Sequence, residues 1–181
     1  MRGLIYVVPV FCVILLNASV ASCQETYTGD TAGLERLAKD LNGNRDLLMK
    51  LRPTDADIAA MTSSQASAKQ LKAYLDKLYS SIPASGIGGK AGQTKVRIRS
   101  GKMSEIKAGT DRHMPGGYQR TAKHYADELV VYSVAYTEPD KELGMRFDVF
   151  VYLKDHWVCA PKMWRAFPGE EDTAVSEPPA E

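Results

Sequence analysis

The spacing of apolar residues changes once along this chain, and that change constrains the fold more than any single motif does. Between residues 31 and 80 apolar positions recur every three or four residues, as in amphipathic helices. From residue 95 onward they alternate every second residue, as in strands with one buried side. This order predicts an α+β domain in which N-terminal helices pack on one face of a curved antiparallel sheet of about four strands.

Four helices are predicted between residues 31 and 80 from the residues that can cap them. The caps fall at Asp30, Asn44, Thr54 and at Ser63 or Ser64. Asp57, three residues after Thr54, completes a capping-box pattern. Strands are predicted over residues 95–99, 129–137, 143–153 and 157–160, with residues 103–107 extending the first. Residues 118–126 are ambiguous and fit a short helix.

The N-terminal segment has the organisation of a secretory signal. Arg2 is the only charged residue before Glu25, residues 4–16 are almost wholly apolar, and small residues follow. The apolar run is about 13 residues, shorter than the ~20 that a spanning helix needs. Residues 1–22 are therefore predicted to be a signal peptide and not a retained transmembrane anchor.

The signal ends in Val20-Ala21-Ser22-Cys23, which resembles the lipobox of bacterial lipoproteins. The resemblance implies that fatty acids such as palmitate are attached at Cys23, with residues 23–30 as a tether to the membrane. Gln24 is similar to the Gram-negative sorting pattern for the outer membrane, which implies a periplasm-facing lipoprotein. Ser19-Val20-Ala21 also suits ordinary signal peptidase, and cleavage there would give a secreted protein.

Length and charge limit the remaining possibilities. Removal of 22 of the 181 residues leaves one ordinary domain, predicted at residues 31–168, followed by an acidic, proline-rich tail at 169–181 that is predicted to be disordered. Basic and acidic residues are nearly balanced, 23 against 22, so no nucleic-acid partner is expected. Residues 95–123 nevertheless hold eight Lys or Arg and only Glu105 and Asp111.

The cysteines and histidines give no pattern for a metal or another cofactor. The three histidines have no metal-like spacing, and the chain contains no Cys-x-x-Cys motif. Cys12 leaves with the signal. Acylation of Cys23 would leave Cys159 unpaired, whereas a free Cys23 could form a disulfide with it.

A candidate ligand site comes from strict alternation in the third predicted strand. Alternation places Arg146, Asp148, Phe150 and Tyr152 on one face, and an even-length hairpin loop would add Trp157. Aromatic side chains with a few polar groups are typical of a ligand site. The alternative is a second packed face with an Arg146–Asp148 ion pair at its rim. An odd-length loop would place Trp157 on the opposite face from these four residues. Burial of Asp148 would suit it to act as a general base.

Two further groups are candidates for contacts with a partner. Arg97 and Arg99 share a strand face and are either a basic patch for anionic envelope polymers or lipid, or a solvated strand surface. Trp164 with Arg165 either plugs the end of the core or forms an exposed contact.

The element order over residues 30–167 resembles the nuclear-transport-factor-like and cystatin-like families. The resemblance implies a curved sheet that wraps helices, and it admits binding modules, inhibitors and enzymes. The Gln-x-Val-x-Gly segment of cystatin inhibitors is not present. The sequence thus favours an exported, lipid-anchored, non-catalytic module for an envelope protein or small-molecule ligand. The alternative is a small cavity enzyme that uses Asp148.

Overall fold

Helices come first and strands follow in the computed structural model, which describes residues 27–111 and 113–168. The predicted signal peptide, Cys23 and the acidic tail lie outside the described residues. The helices are α1 (Thr31–Leu41), α2 (Arg45–Lys50), α3 (Asp55–Met61), α4 (Gln65–Ser80), α5 (Met103–Lys107) and α6 (Gly116–Thr121). The strands are β1 (Lys95–Lys102), β2 (Val130–Thr137), β3 (Gly144–Leu153) and β4 (His156–Cys159).

The four predicted caps are confirmed, and each satisfies a backbone donor that a helix start leaves free. In every case the capping side chain accepts a hydrogen bond from the backbone N–H three residues later. The capping residues are Asp30, Asn44, Thr54 and Ser64. The reciprocal bond of the capping box, from the Thr54 N–H to Asp57, is also present at 2.9 Å.

The strands form one antiparallel sheet in the order β1-β2-β3-β4, so the predicted α+β class is confirmed. Leu153 pairs with His156 across a two-residue turn. The even-length hairpin loop that the ligand-site argument required is therefore present.

Helix α1 covers one side of the sheet, which we call the helix face. The buried Tyr136 hydroxyl on β2 donates a hydrogen bond to the Ala38 carbonyl of α1 at 2.6 Å. At the β4 edge, the Cys159 N–H donates to the Leu51 carbonyl at 2.8 Å. The Tyr79 hydroxyl of α4 donates to the Cys159 carbonyl at 2.7 Å. These contacts protect an edge strand that would otherwise expose unpaired backbone groups.

The predicted extension of the first strand over residues 103–107 is wrong, because this segment is α5. Met103 and Ile106 are both buried, and their spacing of three suits one face of a helix. The helix expected within residues 118–126 begins at Gly116 and continues as a 3₁₀ turn over Ala122–His124.

The opposite side of the sheet, the second face, is covered over half of its length. At Gly101 a side chain would collide with Asp111 and Met114, so the α5–α6 segment lies directly on β1 there. Val131 and Val151 on neighbouring strands are fully buried. Towards the β2–β3 turn, by contrast, Arg99 and Arg146 are exposed, and we call this region the open half of the second face.

Candidate functional site

A β-bulge in the middle of β3 determines which face each candidate residue occupies. Ser133 of β2 pairs with Asp148, whereas the preceding residue, Tyr132, pairs with Phe150. Val149 therefore has no partner in β2 and is the extra residue of a bulge. Because one residue is inserted, side chains before and after it no longer follow a single alternation.

The predicted grouping of Arg146, Asp148, Phe150 and Tyr152 on one face is consequently wrong. Asp148 lies opposite Ser133 and shares the second face with Arg146, two residues earlier. Phe150 lies opposite Tyr132 on the helix face, and Tyr152 follows it there. Strict alternation across β3 could not anticipate this separation.

Phe150, Tyr152 and Trp157 belong to the packing of the helix face. Phe150 and Trp157 are only 1 % and 2 % exposed. The ring of half-buried Tyr152 lies edge-on to that of Trp157, with 5.1 Å between centroids. The Trp157 indole donates a hydrogen bond to the Thr28 carbonyl at 2.9 Å. A ligand would have to displace the chain just before α1 to reach these aromatic rings.

The open half of the second face instead gathers three arginines from β1 and β3, the two strands that flank β2. Arg97 of β1 lies opposite Ala135 of β2, which in turn lies opposite Arg146 of β3. Arg99 follows two residues after Arg97 on the same face. Ordinary strand geometry places their backbones about 7 Å apart along β1 and about 10 Å apart across the sheet. We call Arg97, Arg99 and Arg146 the arginine patch.

The arginine patch is shallow and carries one opposing charge. A cleft of about 30 Å³ lies between Arg97, Arg99, Ser133, Ala135, Glu142 and Arg146. This volume is far below the ~300 Å³ of sites that enclose a small molecule. Glu142 approaches Arg97 at 3.6 Å, and its side chain is 87 % exposed. Guanidinium groups on an open surface are suited to pairing with carboxylate or phosphate groups.

Asp148 lies on the same face but beside the covered half. The residue is 9 % exposed, and its Oδ1 has no hydrogen-bond partner among the described residues. Its backbone carbonyl accepts a hydrogen bond from the Lys162 N–H at 2.6 Å. Burial, with the nearby charges of Tyr125 and Asp148, raises the pKa of Tyr118, so this hydroxyl remains neutral. The role of Asp148 as a general base stays a prediction.

Trp164 and Arg165 lie at the end of the described chain in the 3₁₀ helix Met163–Ala166. Trp164 is half-buried, and its ring packs so closely on Gly117 of α6 that a side chain there would collide with it. The guanidinium of exposed Arg165 lies 5.0 Å from the Trp164 ring centroid. Contact of this pair with a partner stays a prediction.

Cys159 is a buried thiol with no access for chemistry. It is 0 % exposed, and burial raises its pKa well above the usual thiol range despite a hydrogen bond involving Tyr79. Within residues 27–111 and 113–168, His, Cys, Asp and Glu nowhere form a group of three that could hold a metal ion. None of the helices in this part of the chain is long and apolar enough to span a membrane.

A charged contact that the sequence did not reveal joins β4 to α3. His156 Nε2 lies 3.2 Å from Asp57 Oδ1, and Nδ1 lies 3.0 Å from Asp155 Oδ1. Burial lowers the pKa of His156, but hydrogen bonds and charge interactions with Asp155 and Asp57 outweigh it and raise the pKa. Burial of Asp57 is likewise outweighed, by hydrogen bonds from Thr54 and His156, so its pKa is lowered. Asp57 and His156 are far apart in the sequence, and they meet because α3 and β4 come together in the fold.

In comparisons with known proteins, no protein-family model matches the sequence, and the searches of curated proteins and of solved structures found no match.

The His156–Asp57 contact predicts a pH-dependent contribution to stability. Because the pKa of His156 is raised, its contribution is fully present below the unfolded value near 6.5 and disappears as pH rises through the folded value. Urea unfolding should show His156→Gln destabilised by about 0.5–1 kcal/mol at pH 6 and by less at pH 9. Substitution of the exposed His113 by Gln is the matched control, and an equal loss from His156→Gln at both pH values would contradict the assignment.

Proposed function

We propose that the protein is an exported, lipid-anchored, non-catalytic module that binds an anionic partner on the arginine patch. The observation that supports this most strongly is the convergence of three arginines, from β1 and β3, on the open half of the second face. Three guanidinium groups at this spacing attract a multiply charged anion more strongly than a single arginine would.

The distribution of the other candidates favours the patch over the aromatic residues. Phe150 and Trp157 fill the core, whereas Arg99 and Arg146 are exposed. The contact between Arg97 and Glu142 is a surface ion pair, which is worth at most about 1 kcal/mol. An incoming carboxylate or phosphate could therefore replace Glu142 at little cost.

The location of the module rests on the sequence. The apolar segment at residues 4–16 and the lipobox-like Val20-Ala21-Ser22-Cys23 support export and acylation at Cys23. A lipoprotein cysteine carries more than one acyl chain, and more than one chain is needed for stable membrane attachment.

A second candidate function is the small enzyme with Asp148 as general base. The buried Oδ1 without a hydrogen-bond partner among the described residues favours it, because such oxygens are uncommon in folded proteins. It ranks second because Asp148 is only 9 % exposed, so a substrate has little access to its carboxylate even though burial suits a general base.

The arginine patch predicts binding of a simple polyanion. Fluorescence titration with poly-L-glutamate should show affinity that falls as salt is added, because the contact is an exposed electrostatic one. Arg99→Gln should weaken binding about 2- to 5-fold, corresponding to ~0.5–1 kcal/mol for one surface charge. If the three contributions add, the triple substitution of Arg97, Arg99 and Arg146 by Gln should weaken it about 8- to 125-fold.

Arg36→Gln is the matched control for these variants, because Arg36 is exposed on α1 and lies outside the patch. Circular dichroism would establish that each variant is folded. Undiminished binding by the folded triple variant, or a loss with Arg36→Gln alone, would contradict the assignment of the site.

Acylation predicts a specific mass difference. Protein purified from the membrane fraction of cells that express the full chain should carry the added mass of acyl chains at Cys23. The Cys23→Ser protein should lack that mass and leave the membrane fraction. A wild-type mass without acyl chains would contradict the anchor.

A further inference from the structure

The first described residues are packed on the domain and do not form a free tether. The Tyr27 hydroxyl donates a hydrogen bond to the Asp40 carboxylate of α1 at 2.8 Å. The Thr28 carbonyl accepts from the Trp157 indole, and Gly29 lies against the ring of Tyr152, where a side chain would collide. The segment between Cys23 and the fixed chain is therefore residues 24–26.

This attachment point lies far from the arginine patch. Tyr152 and Trp157 flank the β3–β4 turn on the helix face. Arg146 is near the other end of β3 and on the second face. Six backbone steps separate Arg146 from Tyr152 and the bulge takes up one of them, so the distance along the sheet is about 17 Å at ordinary strand rise. The start of the described chain and the patch thus lie on opposite faces of the sheet, with Thr28 and Gly29 nearer the β3–β4 turn and Arg146 nearer the β2–β3 turn.

The short tether limits how the domain can turn on its anchor. From Cys23 to Tyr27 there are four steps along the backbone, which span at most about 14 Å. An acylated Cys23 would therefore hold the membrane surface within about 14 Å of Tyr27, on the side of the domain where Thr28 lies against Trp157 near the β3–β4 turn. In this orientation the arginine patch faces away from the anchoring membrane.

We propose that the arginine patch binds an extended anionic polymer on the side of the domain away from the anchoring membrane, and not the lipid headgroups of that membrane. The inference rests on the proposed lipid anchor and patch function. The partner is then an anionic polymer that approaches from the side opposite the membrane.

The shape and chemistry of the patch favour a polymer over other anions. The ~30 Å³ cleft is too small to enclose a small molecule. Protein interfaces depend on aromatic and other buried anchors, yet the large apolar side chains exposed in the described chain are Val130 and Leu143. A polymer with repeated carboxylates or phosphates can place several anions on guanidinium groups spaced about 7–10 Å apart.

The orientation can be measured on the acylated full-length protein in phosphatidylcholine vesicles with an energy-transfer acceptor on the headgroups. A donor dye is attached at Lys154→Cys or, separately, at Leu143→Cys, which lies beside the β2–β3 turn. Neither native cysteine of the lipoprotein competes for the dye, because acylation blocks Cys23 and Cys159 is buried. We expect at least threefold stronger transfer from position 154 than from position 143.

Adding the anionic lipid phosphatidylglycerol to the vesicles tests whether the patch binds lipid headgroups or an anionic polymer. The transfer pattern should not change, and the affinity for poly-L-glutamate should stay within twofold of its value on neutral vesicles. Transfer from position 143 that equals or exceeds that from position 154 would overturn the inference. So would a loss of poly-L-glutamate binding on anionic vesicles, because the lipid would then occupy the patch.

Failure of the proposed function has a different signature. If wild type and Cys23→Ser both stay off the vesicles, there is no anchor, and the anchor and orientation claims both fall. If the triple arginine variant binds poly-L-glutamate like wild type, the patch function falls even where the transfer pattern is as expected.

Discussion

Val149, which has no partner in β2, is the constraint on which the candidate site depends. On one side of this residue the strand contributes Arg146 and Asp148 to the second face, and on the other it contributes Phe150 and Tyr152 to the helix face. A single inserted residue thereby separates charged from aromatic groups that strict alternation would mix. Arg146 faces solvent, Asp148 is buried beside the covered half, and the aromatic end enters the core.

The remaining elements stabilise that division. On the helix face, α1 is tied to β2 by the Tyr136 hydroxyl, and the chain just before α1 is tied to β4 by the Trp157 indole. On the second face, α5 and α6 cover the half near Gly101 and leave the half near Arg97 open. On the second face of the described sheet, the uncovered part is therefore the part that carries the arginines.

The sequence predicts local features well here and tertiary placement less well. Helix caps such as Asp30 and Thr54 were predictable because the capping side chain and its backbone partner are three residues apart. The helix over residues 103–107 was missed because five residues with two apolar positions do not separate the strand from the helix period. The bulge at Val149 carries no glycine or proline signal. Arg146 could be joined to Arg97 only through the register of three strands.

The most direct test of this account is a residue-by-residue map of where a polyanion contacts the protein. Backbone amide chemical shifts of the full-length acylated protein in detergent micelles would be followed during titration with poly-L-glutamate. The account predicts that the largest changes fall at Arg97, Arg99, Ala135 and Arg146, with Tyr152 and Trp157 unaffected. Changes concentrated at Tyr152 and Trp157, with the arginine amides unmoved, would contradict it.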